Sequence, residues 1–355
     1  MKKNSTIGRR AFLGTGLTAA ASVAVGNSYY GTPAPVGLDL QKLKNEHPYN
    51  ERTHLAMPTN AFGKTGFKVG ILSLGGQATL EQKGKEDISE KMINRAIDLG
   101  VNYIDTAASY GGGVSQKHIG MVMKSRRKEV WLSTKTHDRS YDGSMRLLEE
   151  SLNSLQTDHL DMWQLHNVQR KDQVDKIFAE DGALKALIKA KEEGVVRHLG
   201  ITGHYEPLIL VDCIQRFSFD AILMALNAAD VHYLSFKDFL LPEAQKQGIA
   251  IIGMKVATRG RMISTWSPPP LEEQPERMRT PLPGTLTIKE ALSYNMSLPV
   301  STTILGVDNL EQIEENMKIA SQFSPLSKQE MLALEFKTLP IVRQGLYFRR
   351  WNLGA

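Results

Sequence analysis

Short apolar runs alternate with longer amphipathic stretches along the chain from Met57 onward. The short runs have the length of buried β-strands, and the longer stretches carry apolar residues at helical spacing. The pattern predicts strands at 71–75, 101–105, 130–135, 160–166, 196–202, 221–225, 249–255 and 301–305. It predicts helices near 86–99, 114–125, 142–155, 181–193, 205–216, 240–247, 286–295 and 309–320.

Eight strand and helix pairs in regular alternation indicate one fold class. Alternation requires parallel strands, and eight such units close into a (β/α)8 TIM barrel rather than an open doubly wound sheet. An open dinucleotide-binding sheet is also disfavoured because the first strand–helix turn, Gly75-Gly76-Gln77, lacks the G-x-G-x-x-G pattern. We predict one barrel domain over residues 57–355, including a C-terminal tail, with a proline-rich loop at 264–284 over one barrel face.

Two segments precede the barrel. Residues 27–56 show no sustained period and are interpreted as an N-terminal extension. Residues 1–26 hold two lysines, then Arg9 and Arg10, then a run of small apolar residues, which is the layout of a signal peptide. The arginine pair before Phe-Leu resembles the twin-arginine motif. We therefore expect the twin-arginine translocation machinery as a partner, a periplasmic location and no stable membrane span after cleavage; a disordered cytoplasmic tail is the alternative.

Composition narrows the function classes. The formal net charge of +5 would suggest a nucleic-acid partner, but four of the cations lie in the first 26 residues and no concentrated basic patch remains. No nucleic-acid partner is therefore expected. The single cysteine, Cys213, excludes a disulfide within the chain and a cysteine-rich metal site, and we expect it to be a small buried side chain on a helix.

Polar side chains terminate four successive predicted strands. Asp105, Lys135, His166 and Thr202 follow one another at spacings of 30, 31 and 36 residues, each one strand–helix unit. Because active sites of such barrels lie where strands end and loops begin, these side chains should point into one pocket. Tyr110, five residues beyond Asp105, lies close enough to join them. Taken singly, each residue has an ordinary structural role as its alternative, and their coincidence carries the inference.

Together these residue types suit proton transfer to a carbonyl oxygen. A free tyrosine has a pKa of about 10, too high for easy proton exchange at neutral pH. A neighbouring lysine cation should lower that pKa, and an aspartate should hold the lysine in place and charged. The histidine can hydrogen-bond and orient the carbonyl that is reduced.

Three stretches of sequence resemble the aldo-keto reductase family in order, spacing and flanking residues. They are Asn102-Tyr-Ile-Asp-Thr-Ala-Ala-Ser-Tyr-Gly, Ser133-Thr-Lys-Thr and Leu160-Asp-Met-Trp-Gln-Leu-His. The resemblance runs from about Met57 to about Ala320. It implies an oxidoreductase that interconverts an aldehyde or ketone and an alcohol by hydride transfer with NADP(H), a sugar-like carbonyl being one alternative. It also implies a catalytic tetrad of Asp105, Tyr110, Lys135 and His166, with Tyr110 as the general acid.

The same resemblance places the cofactor. The segment from Thr303 resembles the family's eighth strand and following helix, which hold the adenine end, and a helix N-terminus there suits a phosphate-bearing ligand. The residues so assigned are Asp308, Gln312, Glu315 and Asn316, and the first turn adds Gly76 and Gln77.

Departures from the family pattern affect the cofactor contacts. The usual Ser-Asn and Gln that hold the nicotinamide amide are replaced by Thr202-Gly203-His204 and Leu223, so Asn167 or Asn227 is expected to substitute. Lys255 stands where an aromatic residue commonly stacks on the nicotinamide, and its cation could reach a cofactor phosphate or the substrate. Asp308 stands where NADP-specific members carry Lys or Arg. An acidic group there disfavours a 2′-phosphate, so NAD(H) is an alternative cofactor.

Three loops are candidates for substrate recognition: His137-Asp138-Arg139, the 264–284 loop with Trp266, and the tail segment 347–351. Arg139 or Arg349 could bind an anionic or polyhydroxyl substrate, or could be an ordinary surface arginine. A cofactor-binding sensor or partner-binding barrel with little turnover is the alternative function. A metal-dependent hydrolase ranks last, because no His-x-His ends a strand and no metal site is expected.

Overall fold

A computed structural model describes residues 47–351, so the predicted signal peptide and most of the predicted extension lie outside the described residues. Within that range, eight parallel strands close into a barrel in which each strand pairs with the next along the chain and the last pairs with the first. The predicted (β/α)8 TIM barrel is confirmed. The barrel strands are β3 (Leu72–Ala78), β4 (Tyr103–Asp105), β5 (Trp131–Thr136), β6 (Leu160–Leu165), β7 (Val196–Gly203), β8 (Ala221–Ala225), β9 (Ala250–Met254) and β10 (Thr302–Val307).

The register of neighbouring strands brings their carboxyl ends to one barrel face. Lys135 of β5 pairs with Gln164 of β6, and Leu165 of β6 pairs with Ile201 of β7. Closure comes from β10, which pairs with β3 on one side and with β9 on the other. Side chains at the ends of adjacent parallel strands therefore lie next to one another on that face.

A short antiparallel hairpin of β1 (Thr59–Ala61) and β2 (Lys68–Gly70) precedes the barrel. Its flanking rings, Phe62 and Phe67, pack on Trp131 at the start of β5, with ring centroids 5.0 and 4.7 Å apart. The hairpin thus covers the amino-terminal ends of the strands with aromatic surface. The hydrophobic pattern did not predict it, because three-residue strands are too short to show a period.

Helices surround the barrel at the predicted positions, with ends that differ by at most a few residues. The structure adds short helices before β1, after β6, after β8 and near the C-terminus. In chain order they are α1 (Thr53–Ala56), α2 (Glu86–Asp98), α3 (Val114–Arg126), α4 (Tyr141–Leu155), α5 (Lys171–Ile177), α6 (Ala183–Glu192), α7 (Pro207–Arg216), α8 (Phe236–Phe239), α9 (Leu241–Gln247), α10 (Ile288–Ser297), α11 (Leu310–Ser321), α12 (Lys328–Thr338) and α13 (Val342–Gly345).

Helix α4 shows how the sequence sets these elements. The Ser140 side chain accepts a hydrogen bond from the backbone N–H of Gly143 at its start, a cap worth about 1 kcal/mol. Leu148 and Leu152 recur at the spacing of one helix turn and face the barrel in the buried core. Truncating either to alanine would cost about 2–5 kcal/mol, because burial is lost and a cavity remains.

The described part of the predicted extension packs against the barrel. Asn50 donates side-chain hydrogen bonds to the carbonyls of Ile97 and Val101, at 2.8 and 3.2 Å. Cys213 is buried on α7, as expected from its type. Among the described helices, none is both long enough and apolar enough to cross a membrane.

Candidate active site

The structure brings the predicted strand-end residues together at the carboxyl face of the barrel. Asp105 is the last residue of β4, Lys135 the penultimate residue of β5, and His166 directly follows β6. Tyr110, Lys135 and His166 border a cavity of about 240 Å³, to which Thr202 of β7 also contributes. The side chain of Asp105 lies behind Lys135, away from this cavity but in contact with the lysine.

The Lys135–Asp105 pair is a buried ion pair at the base of the cavity. The Lys135 ammonium donates to the Asp105 carboxylate and to the carbonyl of Thr106, the latter at 2.7 Å. It also lies 3.5 Å from the Tyr110 hydroxyl oxygen. Burial lowers the pKa of Lys135, and Asp105 opposes that shift. The carboxylate therefore keeps the lysine charged in a site that excludes water.

Tyr110 is held by an irregular turn. Gly111 has φ +57°, and a Cβ there would lie 2.0 Å from the carbonyl oxygen of Glu81, so only glycine fits. The pKa of Tyr110 is raised well above 10, first by burial and then by Asp105 and Glu81. The net lowering of this pKa that the sequence predicted is wrong for the described structure, because burial and the carboxylates of Asp105 and Glu81 outweigh the neighbouring cations. The phenol stays protonated and can donate that proton.

His166 lies beside the Tyr110 ring, edge to face, with ring centroids 5.6 Å apart. Burial, followed by repulsion from Lys135 and His204, holds the pKa of His166 well below 6.5, so the imidazole is neutral. Its Nδ1 lies 3.3 Å from the hydroxyl of Ser109. If the serine donates to Nδ1, the hydrogen is on Nε2, and the imidazole can donate to a carbonyl oxygen.

Two supporting residues were not identified from the sequence. Gln164 donates to Asp105 Oδ1 at 2.9 Å and to Ser133 at 2.7 Å, which fixes the carboxylate behind the lysine. The alternation of side chains along a strand could have identified Gln164, because it lies two residues before His166 and therefore shares its face. Ser109 precedes Tyr110 directly and orients the histidine ring.

Neither proposed substrate arginine faces the cavities. Arg139 is partly buried and donates through Nη2 to the carbonyl of His166 at 2.7 Å, so it supports the backbone at the end of β6. Arg349 is buried in an ion pair with Asp230 and donates to the carbonyl of His204 at 2.9 Å. The assignment of either arginine to substrate is wrong, because neither lines a cavity and each donates to groups of the protein. Arg349 is also buried, so its alternative as an ordinary surface arginine is wrong as well.

A second, larger cavity of about 670 Å³ continues from the first. Gln77, Glu81, Tyr110 and Lys255 border both cavities, so the two form one groove. The groove reaches the start of α11, where Asn309 caps the helix by accepting from the N–H of Gln312. The predicted cofactor residues that line this larger cavity are Gly76, Gln77, Lys255, Asp308, Gln312, Glu315 and Asn316.

The inner end of the groove suits the nicotinamide ring of a dinucleotide. Asn167 follows β6 with φ +51°, and its N–H donates to the Thr202 hydroxyl at 2.8 Å. The buried Oδ1 of Asn167 has no hydrogen-bond partner among the described residues, which suits the amide N–H groups of a nicotinamide. Asn227 lines neither cavity. Its side chain donates to the carbonyl of Lys255 at 3.0 Å and accepts from Ala229, so its predicted cofactor contact is wrong.

Lys255 stands at the junction of the two cavities. Its backbone has φ +61°, a left-handed conformation that is uncommon outside glycine. The ammonium donates to Oε1 of Gln77 at 3.3 Å. Burial, then Arg259 and Lys135, lowers the pKa of Lys255 to about 8. Within residues 47–351, no group of three His, Cys, Asp or Glu side chains is placed to hold a metal ion.

Comparisons with known proteins agree with this geometry. The profile of the aldo/keto reductase family matches residues 69–337. An oxidoreductase of Bacillus subtilis is 24% identical over 324 residues, covering 82% of this chain and 98% of that protein. L-galactose dehydrogenase of Arabidopsis thaliana is 26% identical over 302 residues, covering 79% and 93%. The structure of an aldo-keto reductase from Klebsiella pneumoniae in complex with NADPH superposes with a TM-score of 0.62 at 20% identity, covering 79% and 94%.

Proposed function

The chain belongs to the aldo/keto reductase family and is an NAD(P)-dependent carbonyl/alcohol oxidoreductase, and we propose that it reduces its substrate with Tyr110 as the proton donor. One observation carries the proposal: Tyr110, His166 and Lys135 border one cavity beside the larger groove, and the carboxylate of Asp105 pairs with Lys135 from behind. A cofactor-binding barrel without turnover would not require these groups to converge.

Each group has a distinct task in the reduction. A bound nicotinamide cofactor supplies hydride to the carbonyl carbon. His166 donates a hydrogen bond from Nε2 to the carbonyl oxygen and fixes its position. Tyr110 transfers its hydroxyl proton to that oxygen as the alcohol forms. Lys135 lies 3.5 Å from the same hydroxyl and stabilises the phenolate that remains, and Asp105 keeps the lysine charged.

NADP(H) is the cofactor that we assign, as in the Klebsiella pneumoniae relative solved with NADPH. The adenine end of the groove is nevertheless acidic. Asp308 and Glu315 line it near α11, and the Arg259 guanidinium that also borders the groove is paired with Glu81. This charge favours a ribose hydroxyl over a 2′-phosphate, so NAD(H) stays an alternative.

The function is tested on the chain without residues 1–26. Binding of NADPH and NADH is measured by fluorescence, and oxidation of each is then followed with a panel of aldehydes and ketones. We expect cofactor binding and turnover of at least one carbonyl. Binding without turnover across the panel would instead support the sensor function.

We further propose that the chain is exported in a folded state to the periplasm by the twin-arginine machinery. Support comes from Arg9-Arg10 ahead of a small apolar run. A barrel that must enclose a cofactor also benefits from folding before transport. Replacing both arginines with lysine should retain the protein in the cytoplasm on fractionation, whereas Lys2→Arg with Lys3→Arg should not. Equal periplasmic recovery of both variants would refute this route.

A further inference from the structure

Lys255 is a cation without a charged partner at the edge of the catalytic cavity. Its hydrogen bond in the described structure goes to the neutral amide oxygen of Gln77, at 3.3 Å. Among the described residues, no carboxylate forms an ion pair with it. Lys135, by contrast, is matched by the carboxylate of Asp105. Lys255 is half-buried at the junction of two cavities, and cations that lose part of their hydration are normally paired, so its ammonium is available to an anion that the described residues do not supply.

The backbone holds this lysine in place at an energetic cost. A left-handed φ of +61° is strained at a residue other than glycine. The side-chain amide of Asn227 donates to the carbonyl of Lys255 at 3.0 Å and fixes the conformation. Burial first, and then the cations Arg259 and Lys135, lower the pKa of its ammonium to about 8, against the attraction of Glu81 and Asp105. Burial and repulsion both oppose its charge, so a structural role alone does not account for a lysine here.

His204 borders the same cavity from the end of β7. Its buried Nδ1 has no hydrogen-bond partner among the described residues. Burial, followed by Lys255 and Arg349, holds the pKa of His204 well below 6.5, so the ring is neutral and carries one N–H donor. Arg349 binds the carbonyl of His204 at 2.9 Å, and Phe348 packs on the ring with centroids 5.5 Å apart. The imidazole is thus a positioned donor.

We propose that Lys255 and His204 form a subsite for the carboxylate of the substrate, which makes the substrate an aldehyde or ketone that bears a carboxylate. The proposal rests on the reduction at Tyr110 described above. The carboxylate is bound and stays unchanged, while the carbonyl carbon receives hydride and the carbonyl oxygen receives the proton of Tyr110.

The position of the pair favours the substrate over a cofactor phosphate. His204 lines the catalytic cavity and does not line the larger groove. Lys255 lines the catalytic cavity together with Tyr110, Lys135 and His166, and it also lines the larger groove at the junction of the two. The Arg259 guanidinium borders the larger groove and not the catalytic cavity, and it lies 3.2 Å from Glu81, so it is a second cation that a cofactor phosphate could meet.

The test compares carbonyl substrates that differ only in charge. Phenylglyoxylate, 3-carboxybenzaldehyde and 4-carboxybenzaldehyde are each paired with the corresponding carboxamide, which spans several distances between the carbonyl and the carboxylate. The variants are Lys255→Met, His204→Phe and, as a control for loss of one positive charge, Lys185→Met. Lys185 is exposed on α6 and borders neither cavity. Values of kcat and KM are measured at saturating cofactor, and cofactor Kd is measured separately.

We expect the parent to prefer at least one carboxylate over its carboxamide. Lys255→Met should lower kcat/KM for that carboxylate about 10- to 100-fold, the range of a charge-assisted hydrogen bond, mainly through KM. The same variant should lower kcat/KM for the carboxamide much less, so that the preference for the carboxylate falls, and His204→Phe should show a smaller loss of the same preference. Lys185→Met should match the parent.

Three results would overturn the proposal. If Lys255→Met lowered kcat/KM equally for the carboxylate and the carboxamide, Lys255 would not recognise the charge of the substrate. A rise in cofactor Kd that accounts for the loss would assign the lysine to the cofactor instead. Bound cofactor without turnover of any of the six compounds or of simple neutral aldehydes would refute the proposed reductase function, and this inference with it.

Discussion

Removing only the hydroxyl of Tyr110 tests the assignment of the proton donor. Tyr110→Phe keeps the ring, and with it the edge-to-face contact to His166 at 5.6 Å. The hydroxyl makes one contact among the described residues, to Lys135 at 3.5 Å, so stability should fall by no more than about 1 kcal/mol. Cofactor affinity should change little, because the larger groove retains its lining.

The chemical step should slow far more than the fold weakens. General acid catalysis contributes about 10² to 10⁴ in rate, equivalent to about 3–5 kcal/mol of barrier. Tyr103→Phe is the matched control. The Tyr103 hydroxyl lies 3.4 Å from Asp105 but borders neither cavity, so its loss should reduce turnover less than about 10-fold. Comparing the two variants distinguishes the loss of the proton donor from a disturbance of Asp105.

The assay is single-turnover oxidation of NADPH with and without deuterium at the transferred position. An isotope effect on the rate shows that hydride transfer is being observed. Near-parent rates for Tyr110→Phe under that condition would show that this tyrosine is not the acid. Lys135→Met should also reduce turnover, but it leaves Asp105 buried without its partner, so it is best combined with Asp105→Asn to keep the protein folded.

Three further predictions follow from charge. Asp308→Ser should shift the ratio of dissociation constants toward NADP over NAD by about 5-fold, or about 1 kcal/mol, and no shift would mean that Asp308 does not face the ribose. Arg349→Met should destabilise the fold by about 3–5 kcal/mol in thermal or urea unfolding, with much of the loss restored by adding Asp230→Asn, because the buried carboxylate then needs no cation. The pKa of Lys255 lies at about 8, below its usual value, so its charge is lost as pH rises through 8; kcat/KM for a carboxylate substrate should fall there, while a neutral aldehyde shows no such decline.

The barrel could be predicted because each strand and helix carries its own periodic signal and each pair repeats the last. Elements without such a signal were missed. Helix α12 exposes Leu332 and Phe336 to solvent, so its apolar residues do not mark a buried face. The sequence held another cue, the capping box in which Ser327 and Glu330 satisfy each other's backbone N–H groups.

The candidate site was predictable where backbone position alone decides it. Asp105, Lys135 and His166 meet because parallel strands end on one barrel face, and chain spacing reveals that. The end of a long side chain is harder to place from the sequence. Arg139 and Arg349 lie in loops near the site, yet several rotatable bonds carry their guanidinium groups to buried carbonyls and a carboxylate. The position of an arginine in a loop therefore does not indicate where its guanidinium group lies.

The two lysines at strand ends show why environment decides chemistry. Lys135 and Lys255 occupy comparable places, near the ends of β5 and β9, and sequence spacing treats them alike. Lys135 meets the Asp105 carboxylate, so its charge is balanced before any ligand binds and its task is to support Tyr110. Among the described residues, Lys255 donates to the neutral amide of Gln77, and repulsion from Arg259 and Lys135 outweighs the attraction of Glu81 and Asp105. An anionic ligand would stabilise the charged form of Lys255 and raise its pKa. The charge of Lys135 is already balanced by Asp105, so the same ligand would raise the pKa of Lys135 much less. The lysine after β9 therefore recognises the charge of the substrate, and the lysine of β5 supports proton transfer.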